Sequence, residues 1–256
     1  MAIAISILIF LVLGFLFFQF RIYLLFTKQR LSILMYHSIL PTSNGELTVA
    51  QAELEKQFQH IAKSGYSTCF FKDLPEKTLT QKTIILTFDD GFENNLLYAV
   101  PLLKKYGLKA TFFVNTQKII EGNFEGIKTM SFEQLQSLDS NYVEIALHTH
   151  QHRSLKEISL EEIALDLQQN IEYLEKNNIP FSKILAYPYG EYPKDDKTNF
   201  FNCLIQCGIE KGFKIGNRVN AYPFKDPFEI HRIDIKGGDS LKVFKIKILV
   251  GKIKLF

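Results

Sequence analysis

Apolar side chains follow two regimes along this chain. From Ala2 to Phe18 they run almost unbroken, and Gln19 is the first strongly polar side chain. None of the first twenty residues is charged. About twenty helical residues span a hydrocarbon core of roughly 30 Å, so residues 1–20 predict a transmembrane anchor. A cleaved signal peptide would begin with basic residues and end in small ones. Here no Lys or Arg precedes the run, and Phe15-Leu16-Phe17-Phe18-Gln19-Phe20 is a poor cleavage site, so the anchor is read as uncleaved. Residues 21–31 form a juxtamembrane linker. Arg21, Lys28 and Arg30 follow the apolar run and no basic residue precedes it. By the positive-inside rule these charges favour a cytoplasmic position for the main domain.

From residue 32 short apolar runs alternate with amphipathic stretches. Strands are predicted at 32–36, 67–71, 83–88, 110–114, 142–147, 183–187, 213–215 and 230–235. The continuous apolar runs at 83–88 and 110–114 suit strands buried on both faces. Helices are predicted from a capping box at Thr48-Val49-Ala50-Gln51 to Gly65, over 95–106 before Gly107, after a box at Ser131-Phe132-Glu133-Gln134, from Ser159 to about Asn177, and over 196–207 before Gly208. Strand and helix in strict turn imply a parallel sheet covered by helices. Seven or eight such units predict a distorted (β/α) barrel, with a doubly wound open sheet as the alternative. Residues 32–256 read as one domain.

The tail 240–256 mixes five lysines with isoleucine, leucine and phenylalanine. It fits either an anionic membrane surface or an ordinary element with one solvated face. A net charge of +3 from 30 basic and 27 acidic residues is too balanced to point to nucleic acid. No glycine-rich phosphate loop is present, which disfavours a nucleotide. Three cysteines, an odd number, make a disulfide framework improbable, and Cys203 and Cys207 read as small buried residues of one helix.

The chemistry gathers where predicted strands end. Thr87-Phe88-Asp89-Asp90-Gly91 closes a buried strand, and the active sites of barrels collect at the C-terminal ends of strands. Adjacent carboxylates repel unless a cation or a proton separates them. A metal on one would leave the other free as a base. His148 and His152, four apart after a later strand, can reach one ion together. Asp90, His148 and His152 then make the three protein ligands of a catalytic zinc-type site. His150 could replace one of the pair and is read as a neighbour.

These residues resemble the polysaccharide deacetylases with a NodB-homology domain. The family's T-F-D-D-G motif stands at 87–91 and its H-[ST]-x-x-H motif at 148–152. Tyr187-Pro188-Tyr189-Gly190 looks like the third motif, without its usual upstream arginine. The resemblance covers about residues 32–236. It implies a distorted (β/α) barrel and metal-dependent removal of acetyl groups from N-acetylated amino sugars. Asp89 would be the general base. Asp90, His148 and His152 would hold one divalent metal, zinc or another transition ion. The backbone N–H of Tyr189 would hold the oxyanion.

The family's C-terminal leucine-x-histidine is missing. Met35-Tyr36-His37-Ser38 instead resembles the permuted subgroup that includes poly-N-acetylglucosamine deacetylases, which makes His37 the candidate acid. Arg232 would orient Asp89 or form a plain surface ion pair. The chain has no tryptophan, so Tyr36, Phe92, Tyr187 or Tyr189 would have to meet the sugar, with Pro188 lining the site. The anchor directs the substrate expectation to a membrane-proximal glycan or glycolipid, such as a lipopolysaccharide precursor or a cell-envelope polysaccharide. The competing functions are a metal-dependent hydrolase of another bond and a non-catalytic glycan-binding membrane protein.

Overall fold

The computed structural model describes residues 2–19, 22–26, 29–43, 45–75, 78–79 and 82–252. Met1 and Phe20 of the expected anchor, Arg21 and Lys28 of the flanking charges, and 253–256 of the tail lie outside these residues.

Seven parallel strands close into a ring. They are β1 (Arg30–Tyr36), β2 (Thr83–Phe88), β3 (Ala110–Val114), β4 (Val143–Leu147), β5 (Ser182–Ala186), β6 (Lys211–Ile215) and β7 (Ile230–Asp234). Each pairs with the next in chain order, and β7 returns to β1 through Leu34↔Ile233 and Met35↔Asp234. The open-sheet alternative is therefore excluded. A register shift between Ser182 and Leu185, on the pairing of β4 with β5, distorts the ring. Outside it, Ser67–Thr68 adds to β2 and Asn220–Ala221 runs antiparallel to β1.

Side chains alternate across each strand, and this parity decides what each residue can do. The inward set includes Leu31 and Ile33 on β1, Ile85 on β2, Phe113 on β3, Ala146 on β4 and Phe213 on β6. The outward set includes Leu34 and Tyr36, Leu86 and Phe88, Phe112, Ile145 and Leu147, and these pack under the helices. Continued two residues at a time, the inward rows end at His37, Asp89, His148 and Arg232. The same period that fills the barrel with hydrocarbon thus delivers polar groups to its C-terminal rim.

The helices are α1 (Ala2–Gln19), α2 (Gln51–Lys63), α3 (Val100–Tyr106), α4 (Thr116–Glu121), α5 (Phe132–Gln136), α6 (Leu160–Lys176), α7 (Lys197–Gln206) and α8 (Leu241–Val250). Capping boxes at Ser131 and Ser159 open α5 and α6 as the sequence predicts. The one expected at Thr48 does not form. Thr48–Ala50 is instead a short strand parallel to Ser38–Leu40, and α2 starts after Ala50 without a side-chain cap. The strand expected at 67–71 stops at Thr68. A 3-10 turn at Phe71–Asp73 then puts Phe71 inside the ring, its centroid 4.4 Å from Phe213. The helix expected at 95–106 opens as a π-turn over Asn95–Ala99. Pro101, early in α3, has no N–H to donate, which favours widening of the turn before it.

In the tail, α8 packs Phe244 and Ile248 into the core. Lys247 is buried and donates to Asp239 Oδ2 (2.5 Å) and to the carbonyl of Asp234 (2.7 Å). One face of the tail thus docks on the barrel, so it is not a free membrane-surface helix.

No helix among the described residues is long and apolar enough to cross a membrane. Where the spanning helix was expected, α1 has 18 residues. At 1.5 Å per residue that is about 27 Å, just short of a hydrocarbon core. Most of its apolar side chains are exposed, Ile3 and Phe10 most of all. After it the chain turns back at Ile22–Phe26, where Phe26 lies against Phe17.

Candidate metal centre

The loop after β2 starts inside the ring. The Asp89 N–H donates to Tyr36 O (3.0 Å) and so extends the β1–β2 ladder by one residue. Asp90 (φ 72°) and Gly91 (φ 69°) are both left-handed, and they turn the chain sharply. Left-handed φ is rare and costly for any residue with a Cβ. Seven described non-glycine residues adopt it, and four of them, Asp90, Thr149, His152 and Tyr189, stand at this site. Backbone strain is thus concentrated where the candidate ligands are.

His148 continues the inward row of β4. Its Nδ1 lies 2.8 Å from the carbonyl of Ala186. A carbonyl only accepts, so Nδ1 carries the proton and Nε2 presents a lone pair. That lone pair faces Asp90 Oδ1 at 3.4 Å, and His152 Nε2 lies 3.3 Å from the same oxygen. Neither contact is a hydrogen bond, and Asp90 Oδ1 is buried with no donor in the protein. Acceptors this close are stable only around a positive centre.

One oxygen and two imidazole nitrogens suit a divalent transition ion, and all three atoms lie within 4.8 Å of one another. Ligands about 2.0–2.1 Å from a tetrahedral ion stand about 3.3–3.4 Å apart, close to the spacings of Asp90 Oδ1 from the two nitrogens. The residues therefore fit a metal. The Cys203 and Cys207 pair forms no comparable cluster among the described residues.

Asp89 sits beside this group without belonging to it. Arg232 grips it with two parallel bonds, Nη1 to Oδ1 (2.6 Å) and Nη2 to Oδ2 (2.8 Å). Both side chains are buried, so this is no surface ion pair. The guanidinium also lies over the Phe113 ring, its carbon 5.3 Å from the centroid. The positive charge missing upstream of Tyr187 is thus supplied from β7.

Both carboxyls are held below the usual carboxylate range. Burial is the largest influence and opposes this. For Asp89 it is outweighed by Arg232, His148 and His37, and for Asp90 by His148 and His152 with further help from His37. His148 is drawn above the usual imidazole range by Asp89 and Asp90, again against burial.

The rim sorts the remaining candidates. His37, half-buried, has a buried Nδ1 with no hydrogen-bond partner. Tyr189 is 57% exposed, with its ring 4.9 Å from His152. Gly190, also left-handed, lies so close to β6 that an added Cβ would stand 2.6 Å from Ile215 N. Gly190→Ala should cost at least ~1 kcal/mol, read as a fall in thermal midpoint of at least ~2 °C for a chain of this size.

Tyr36 and Tyr187 are not sugar contacts. Both stand on outward rows and are fully buried, with hydroxyls donating to Gln57 and to the Phe228 carbonyl. Pro188 is buried as well. Phe92 is 4% exposed and stacks on Phe124.

Phe124 was not foreseen. It sits on a small hairpin, Asn123–Phe124 with Ile127–Lys128, and its ring is 4.9 Å from His152. The Gly122 and Gly126 pair around it was the available signal. Tyr189 and His152 also line a cleft of about 600 Å³ together with Arg153, Ser154, Glu157 and Glu191. His150 is a neighbour and not a ligand: its Nδ1 meets Thr116 Oγ1 at 2.8 Å and its ring stacks on Tyr173.

Residues 76–202 match the polysaccharide deacetylase family. YxkH of Bacillus subtilis (strain 168) is 26% identical over 84% of this chain and 75% of its own. The poly-beta-1,6-N-acetyl-D-glucosamine N-deacetylase of Staphylococcus epidermidis (strain ATCC 35984) is 29% identical over 73% of this chain and 67% of its own. Among solved structures, the Streptococcus pyogenes deacetylase PplD in complex with acetate superposes with a TM-score of 0.75. It is 23% identical and covers 87% of this chain and 99% of its own, a likeness of fold.

Proposed function

We propose that this chain, whose residues 76–202 match the polysaccharide deacetylase family, is a hydrolase of N-acetyl amide bonds, a metal-dependent N-deacetylase of an amino-sugar glycan. The carrying observation is the buried trio Asp90, His148 and His152 around a position that wants positive charge, with Asp89 left unligated beside it. Among the described residues there is one such cluster, which favours single-metal hydrolysis over two-metal phosphoester cleavage.

Asp90 and the Nε2 atoms of His148 and His152 would hold the ion, zinc or another divalent transition metal. When bound, such an ion supplies Lewis acidity to the acetamide carbonyl and to a water. Asp89, kept as a carboxylate by Arg232, accepts the proton of the attacking water. The Tyr189 N–H is assigned to the oxyanion. His37 passes a proton to the departing sugar nitrogen, which leaves poorly as an anion. Tyr189 and Phe124 take over the stacking surface expected of the buried tyrosines. The products are acetate and a free amine.

The name of the Staphylococcus relative supports an N-acetylglucosamine polymer as the substrate class. The place of the apolar segment supports membrane attachment through α1 and Ile22–Phe26, and the basic residues after it favour the cytoplasmic face. This segment enters at the N-terminal end of β1, while the site lies at the opposite rim. A seven-residue strand spans about 23 Å. The site is therefore set back from the bilayer, which suits a chain better than a lone lipid-linked sugar. Cysteine accessibility on either side of a sealed vesicle tests the sidedness.

Acetate release from N-acetylglucosamine oligomers tests the activity. A chelator should abolish it and Zn²⁺ or Co²⁺ should restore it. Full release in the presence of chelator would overturn the metal assignment.

A further inference from the structure

One face of α6 does more than cover the barrel. Asp166, Asn170 and Tyr173 follow each other at helical spacing, and all three meet the His148–His152 loop or its neighbour α4. Asp166 is 2% exposed and accepts two loop N–H groups, His150 N on Oδ1 (2.5 Å) and Gln151 N on Oδ2 (3.2 Å). Asn170 Nδ2 donates to Thr116 Oγ1 (3.0 Å), which in turn meets His150 Nδ1. Tyr173 stacks on the His150 ring, nearly parallel, at 5.1 Å.

Two more of the loop amides are tied as well. His148 N–H donates to Val114 O (3.1 Å), and His152 N–H to Thr149 Oγ1 (3.0 Å). The His150 carbonyl accepts from Gln117 N (3.0 Å). These bonds hold Thr149 and His152 left-handed, which neither would adopt unaided. A loop free to relax would carry His152 Nε2 away from His148 Nε2, and the two could no longer share an ion.

We propose that Asp166 is a positioning residue for the metal: by gripping the amides of His150 and Gln151 it fixes the distance between the two histidine ligands, with His150 as the latch against α6. This inference rests on the metal-dependent reading of the site. The carboxylate suits the task because it accepts two N–H groups at once. An amide in its place would offer one acceptor and turn an N–H toward the other donor.

The test measures metal affinity on the full chain by competition with a chromophoric chelator, using Zn²⁺ and Co²⁺ as probes, alongside the thermal midpoint of each apoprotein. Asp166→Asn should bind both ions ~10–100-fold more weakly, the range typical of groups that orient ligands, and should alter the visible spectrum of bound Co²⁺. A lower midpoint with affinity and Co²⁺ spectrum unchanged would make Asp166 merely structural and overturn the inference. Thr116→Val keeps the side-chain volume and removes the hydroxyl that His150 meets. It covers the case of an unfolded Asp166→Asn: several-fold weaker binding supports the inference and unchanged binding overturns it. A wild-type protein that binds neither ion would overturn the metal reading itself, a result distinct from an unaffected variant.

Discussion

Asp89→Asn should lower kcat for acetate release by ~10²–10⁴-fold, the usual worth of a positioned general base. The change is nearly isosteric and leaves Asp90, His148 and His152 intact. Bound metal per chain should therefore remain at the wild-type value while turnover collapses. That separation is the point of the measurement, because loss of metal alone would also abolish activity. The base assignment fails if the variant keeps its metal and turns over within a few-fold of wild type. A second effect is expected in the same protein: Arg232 loses its anionic partner and stays buried with an uncompensated charge. Turnover must then be referred to the folded fraction.

Strand period carried much of this site from the sequence. Asp89 stands two residues beyond the inward Thr87, and His148 two beyond the inward Ala146, so any reading with the right strands sends both into the ring. A parallel sheet was legible for the same reason, since uninterrupted apolar runs at Thr83–Phe88 and Ala110–Val114 must be covered on both faces. Closure into a barrel rested on the number of units and is fixed by the pairing of β7 with β1. The same parity should have removed Tyr36 and Tyr187 from the sugar-contact candidates. Each is one residue out of phase with the inward row, which places it under the helices. Chemical type alone suggested them, and chemical type does not know which face a side chain takes.

Other features were not legible because they depend on contacts far apart in sequence. The partner of Arg232, 143 positions earlier, came only from the resemblance to the permuted subgroup, since nothing local to Arg232 announces Asp89. Thr48 fits a helix cap locally, yet pairing with Ser38–Leu40 wins because it satisfies backbone groups on both segments. The α6 face that grips the histidine loop is invisible for the same reason: Asp166 looks like any acidic residue of an amphipathic helix until the loop is folded against it. The lysine-rich tail lacked a clean period because it is not one surface. Phe244 and Ile248 face the core, Lys247 is drawn in by Asp239 and Asp234, and Lys252 also reaches the Asp234 carboxylate.

Arg232→Met should destabilise the protein by ~3–5 kcal/mol, because it strands the Asp89 carboxylate in the barrel. Methionine fills much of the space and keeps contact with Phe113, so the loss reports the charge more than a cavity. The sign with pH comes from the pair. Arg232 helps hold the Asp89 pKa below its unfolded value. The stability this contributes is present above about pH 4, the ordinary carboxylate value, and is lost as pH falls through the lower folded value. Without Arg232, burial, which raises the Asp89 pKa, loses its strongest opponent in the protein, and the carboxyl takes up its proton at higher pH. Two changes should therefore appear together. The stability difference between wild type and variant should shrink on acidification, as Asp89 is neutralised in the variant first. The acidic limb of kcat/KM should also move to higher pH, because the base is protonated sooner. A variant that loses stability but keeps the wild-type acidic limb would show that Arg232 holds the barrel together without setting the charge of Asp89. Combining the changes in Asp89→Asn/Arg232→Met removes both charges, and should recover stability lost by either single variant while leaving turnover as low as in Asp89→Asn.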